Sequence, residues 1–139
     1  MGARLAVFLL WLIHFLPFRV IVAIGNAFGE VAWRFAAGRR RVGRINLALC
    51  FPQMDEAARE RLLHAHFRMF FRGLIERSIL WWASPQRINA LIRIEGMEHF
   101  EAVRGKPMIL LTPHFVGMDA GGQWVAQQVD TVCMYANQK

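Results

Sequence analysis

The chain has almost no cysteine and is short of acidic residues. Its 139 residues hold 2 Cys, and 10 Asp plus Glu against 17 Lys plus Arg, for a formal charge of +7. Cys50 and Cys133 stand alone, with no CxxC pair and no histidine at zinc-ligand spacing. That excludes a disulfide scaffold and a structural zinc site, and reads as reduced, packed thiols in a cytoplasmic compartment. No internal repeat, low-complexity tract, zinc-finger spacing, basic zipper or Gly-Phe-rich sheet signature is present, so the usual nucleic-acid readers are excluded. No serine or cysteine sits in a nucleophile-elbow pattern. What is abundant is apolar: 55% of residues are hydrophobic and 5 are Trp. A basic, apolar, Trp-rich chain of this length suits one domain and an anionic membrane surface.

Most of the apolar excess precedes residue 37. The run LAVFLLWLIHFLPF, Leu5 to Phe18, carries His14 inside it and Pro17 near its end, and Arg19 interrupts before VIVAIGNAFGEVAWRFAAG resumes. Leu5 to Phe18 is shorter than the roughly 20 residues a span requires. A tilted single span, a kinked or re-entrant helix and an amphipathic helix in the interface all remain open. No A-x-A cleavage site follows the run, which argues against a removed signal peptide. Trp11 and Trp33 suit membrane interfaces. Residues 1–37 are therefore expected to form a membrane anchor segment and 38–139 the beginning of an enzyme domain. Arg34, Arg39, Arg40, Arg41 and Arg44 follow the apolar stretch directly, which places that side in the cytoplasm facing anionic head groups.

Further on, Arg44 to Leu49 reads as helical, closed by Pro52. Asp55 is a good N-cap for a long amphipathic helix through Trp82, with Glu56 in its first turn. Ser84 and Pro85 begin another short helix. From Leu91 the pattern alternates: LIRIEG as strand, MEHFEAVRG as helix, KPMILLT as strand, a Gly-rich helix after Asp119, and TVCMYA as a third strand. That order predicts an α/β fold, with helices leading into the start of a mainly parallel sheet.

The stretch PMILLTPHFVGMDAGG, Pro107 to Gly122, concentrates the chemistry. A buried strand would deliver His114 to a turn, with Asp119 five residues on. The other four histidines, His14, His64, His66 and His99, have no acid at that spacing. A histidine there can take a proton from a hydroxyl, while a carboxylate fixes its tautomer and stabilises the imidazolium. A structural histidine on a turn fits the residues as well. A metal site at this pair would lack a third ligand nearby.

Four blocks carry a wider likeness: RRRVGRINLALCFPQ from Arg39, HFRMFFRGLIERSILWW from His66, IRIEGMEHFEAV from Ile92 and ILLTPHFVGMDAGG from Ile109, with MYANQK at the end. In them the chain resembles the lipid A biosynthesis lauroyl and myristoyl acyltransferases of the lysophospholipid-acyltransferase superfamily, over their N-terminal half. The resemblance implies transfer of a fatty acyl chain from acyl carrier protein to a hydroxyl of a lipid A precursor, at the cytoplasmic face of a bacterial inner membrane. No cofactor is implied beyond that donor. The family's H-x4-D/E motif falls on His114 and Asp119, as general base and orienting partner; many members have Glu at the second position. Family members are about twice as long, so 1–139 by itself is expected to show no transfer. A glycerophospholipid acyltransferase and an inactive membrane-associated remnant are the alternatives.

Overall fold

A computed structural model describes residues 2–130. These hold seven helices: α1 Gly2–Ile13, α2 Phe18–Phe35, α3 Ala37–Cys50, α4 Glu56–Trp82, α5 Pro85–Asn89, α6 Met97–Glu101 and α7 Met118–Gln128. They divide into two compact units, one running through Trp82 and the other from Ala83 on.

The expected α/β fold is corrected here, because the described residues are all helical and contain no strand. Residues 91–96 and 106–112, read above as strands, form no strand. A strand needs a hydrogen-bonded neighbour to satisfy its backbone, and its apolar side chains need a cover. Neither is supplied here: Ile109 is 97% exposed and Leu111 96%. The third strand candidate, Thr131 to Ala136, lies outside the described residues.

In the first unit α4 is the element that α1, α2 and α3 all touch. The α2–α4 contact is close because α2 buries Ile21, Gly25 and Gly29, four residues apart on one face. A Cβ on Gly25 would stand 2.5 Å from Arg72 Cα, and one on Gly29 would stand 2.6 Å from Arg68 Cα. One step further, the Trp33 ring lies 4.6 Å from His64 and meets Phe67 edge-on at 5.4 Å. As α2 advances by four residues α4 recedes by four, so the two helices are antiparallel. Small residues spaced by four let two backbones approach; the sequence GNAFG carries that signal inside the apolar run, and the sequence reading passed over it. Glu30 ties the same pair, its carboxylate 3.0 Å from His64 Nε2 and 3.5 Å from Arg68 Nε.

Pro17 opens α2, having no N–H to lose there. His14 is buried just before it, with Nδ1 against the Trp11 carbonyl and the ring beside Phe15 and Trp82. Among the described residues no single helix is long and apolar enough to cross a membrane; α2 and α3 pass that test only as a pair bent by 92°. The arginine cluster is helical, since α3 begins at Ala37 rather than at Arg44. Packing holds α3 in place: a Cβ on Gly43 would overlap the Leu63 side chain of α4, and Arg44 donates to both oxygens of Glu60 at 2.8 and 2.5 Å. Asp55 caps α4 as expected, Oδ1 accepting from the Ala58 N–H at 2.7 Å. Arg59 closes the corner by donating to the Phe51 and Met54 carbonyls at 3.2 and 2.5 Å.

Candidate active site

The second unit carries the predicted pair. Ser84 caps α5 by accepting from the Arg87 N–H at 3.3 Å, with Pro85 in the first turn. Gly96 enters α6 with φ 77°, and Gly105, at φ 78°, closes the turn that follows it. Two contacts fix α7 within this unit. Asn89 Nδ2 donates to Gln127 Oε1 at 3.1 Å, and Phe100 meets Trp124 edge-on at 5.5 Å.

His114 stands near the end of the irregular segment 107–115, exposed beside Phe115, which is also exposed. The chain then turns at Val116 and Gly117, with the Met118 N–H donating to the Phe115 carbonyl at 3.3 Å. Gly117 is the N-cap of α7 with φ 93°, a left-handed backbone that an L side chain rarely adopts. Its carbonyl accepts from the Ala120 N–H at 3.0 Å. Asp119 follows in the first turn of α7, exposed, where the helix dipole favours a carboxylate. His114 and Asp119 thus lie on either side of one tight turn, five positions apart. Both side chains are exposed. The apolar run before them, Met108 to Leu111, leaves Ile109 and Leu111 uncovered among the described residues.

No cluster of three or more His, Cys, Asp and Glu that could hold a metal occurs among the described residues. Cys50 is exposed at the end of α3, not packed as expected. The hydrogen bonds from Arg44 hold the Glu60 carboxyl below its ordinary value, and Arg104 does the same to Glu101.

The sequence pattern described as "Bacterial lipid A biosynthesis acyltransferase" matches residues 1–139, the whole chain, His114 and Asp119 included. The chain belongs to that family. Among curated relatives, this family member is 31% identical over 133 residues to the lipid A biosynthesis lauroyltransferase of Escherichia coli K12, covering 94% of this chain and 44% of the relative. It is 28% identical to the palmitoleoyltransferase of the same organism, over 82% of this chain and 38% of the relative. Against the myristoyltransferase of that organism the identity is 30%, over 79% of this chain and 35% of the relative. The chain therefore spans less than half the length of the curated relatives it matches. No solved structure matches it.

Proposed function

We propose that this chain takes part in lipid A biosynthesis by moving a fatty acyl group from acyl carrier protein to a hydroxyl of a lipid A precursor, at the cytoplasmic face of a bacterial inner membrane. The observation that carries this reading is the family match over residues 1–139, which contains His114 and Asp119 astride the turn into α7. His114 acts as general base on the acceptor hydroxyl, and Asp119 holds its tautomer and the imidazolium that forms. The hydroxyl oxygen attacks the thioester carbonyl of the donor. A C–O bond forms, the C–S bond breaks, and the proton taken by His114 passes to the departing thiolate. No covalent acyl-enzyme is needed, because a free hydroxyl is itself the nucleophile once deprotonated.

The test is radiolabelled acyl transfer to a lipid A precursor and, in parallel, to lysophosphatidate. It is run with purified 1–139 alone and with 1–139 joined to the part of a full-length relative that this chain does not cover. The expected result is no transfer by 1–139 alone, and transfer by the joined protein to the lipid A precursor that disappears in His114→Ala. Unchanged transfer by the His114→Ala protein would remove the histidine from the reaction. Transfer to lysophosphatidate instead would assign the neighbouring glycerophospholipid activity.

A further inference from the structure

Helix α3 presents an apolar stripe on the side turned away from α4. Helix α3 uses Gly43, against Leu63, and Arg44, against Glu60, to reach α4. On the other side Val42, Ile45 and Leu49 recur at helical spacing, 51%, 51% and 75% exposed. Arg41 borders this stripe along one edge, and Arg39 with Asn46 along the other; all three are exposed. Helix α2 adds Phe28, Val31 and Phe35, each more than half exposed. Helix α1 adds Leu5, Phe8 and Leu12, also exposed. An apolar stripe left exposed along a helix marks an interaction site. An apolar stripe edged on both sides by arginines matches one kind of partner, a lipid interface with phosphates above and acyl chains below. Helix α4 carries charged side chains along its length, among them Glu60, Arg68, Arg72 and Glu76 in ion pairs, beside exposed Leu62, Met69, Phe70 and Trp81.

We propose that the first unit is a monotopic anchor in which α3 lies along the head-group plane of an anionic bilayer. Val42, Ile45 and Leu49 enter the acyl boundary, Arg39 and Arg41 pair with lipid phosphates on the two sides, and α4 stays on the water side. This deepens the membrane placement given above and does not depend on acyl transfer. Of the three arrangements open from the sequence it selects the interfacial one. The 92° bend between α2 and α3 then lies within the membrane surface rather than across it.

The experiment uses purified 1–139 with Cys50 and Cys133 replaced by Ser. A nitroxide is placed at each position from Arg41 to Leu49 in turn, and vesicles of phosphatidylethanolamine with phosphatidylglycerol are added. The expected oxygen accessibility rises and falls with the helical period, peaking at positions 42, 45 and 49. Depth that increases steadily along the helix would mean a span, and water accessibility throughout would mean no docking; either overturns the proposal. In flotation with the same vesicles, R39Q/R41Q should bind about thirtyfold more weakly, since each basic residue near such a surface contributes roughly fivefold. On phosphatidylcholine vesicles the loss should be under threefold. An equal loss on both lipids would remove the phosphate pairing, and circular dichroism checks that each variant keeps its helices. These readouts need no catalysis, so a failed transfer assay leaves them intact, and their failure leaves the transfer assay intact.

Discussion

The α2–α4 contact makes Gly29→Ala an informative substitution, because two effects of opposite sign compete. In a helix interior alanine is favoured over glycine by about 0.5–1 kcal/mol. At Gly29, however, the new methyl would stand 2.6 Å from Arg68 Cα and 3.1 Å from the Phe67 carbonyl oxygen. Those atoms are backbone, so no side chain can swing aside. The helices must part by roughly 1 Å, a gap that forfeits a quarter to a half of the contact energy of the atoms involved. Overpacking of this kind costs about 1–3 kcal/mol, so the net expectation is a loss of about 1–2 kcal/mol. Gly38→Ala is the control: nothing lies within 4 Å of its added Cβ, so the propensity gain of up to about 1 kcal/mol stands alone. The assay is urea unfolding in mild detergent, followed by far-ultraviolet circular dichroism and by tryptophan fluorescence, to which Trp33 at this interface contributes. The same chemical change should therefore destabilise at position 29 and stabilise at position 38. A Gly29→Ala chain as stable as the parent would refute the close approach.

Three further outcomes are expected. In the joined protein used for the transfer assay, Asp119→Asn should lower the rate by about 100-fold to 10,000-fold while Asp119→Glu keeps most of it, because the role requires a negative charge; equal losses in the two would deny the carboxylate its part. The Glu60 carboxyl is held low by its hydrogen bonds from Arg44, so its contribution is complete above the ordinary carboxylate value of 4.5 and disappears as pH falls through the lowered one. Melting temperature between pH 3 and 6 should accordingly fall less steeply in Glu60→Gln than in the parent, by a small margin because both partners are exposed. Ile109→Thr and Leu111→Thr should each change the stability of 1–139 by less than about 0.5 kcal/mol, as expected of side chains that nothing covers, and a loss above 2 kcal/mol on urea unfolding would show that they are packed.

Local signals were legible and long-range ones were not. The caps Asp55 and Ser84 announced α4 and α5, because a capping side chain bonds to backbone three residues away and needs nothing distant. The helix expected after Asp119 is present as α7, which begins one residue before it, at Met118. The strands failed for the opposite reason. Ile109 and Leu111 have the composition of a buried strand, but a strand exists only through a neighbour elsewhere in the chain. Gly25 and Gly29 were read as part of an apolar run. Their spacing of four carries meaning only once a partner helix is in place, and that partner, α4, begins 27 residues after Gly29. Of the candidate site, His114 and Asp119 were legible as a pair five positions apart, and the structure adds the turn at Val116 and Gly117 between them.

The corner between α3 and α4 bears on how the anchor responds to acid. Helix α3 is held to α4 at two polar points of different chemistry. One is the Glu60 carboxylate, which also lies near Arg40 and His64 and loses its charge at low pH. The other is Arg59, whose guanidinium grips the Phe51 and Met54 carbonyls and stays protonated at any pH a cell meets. Acid well below pH 4.5 would therefore remove one of the two polar points, while the Gly43–Leu63 packing and the Arg59 latch stay in place.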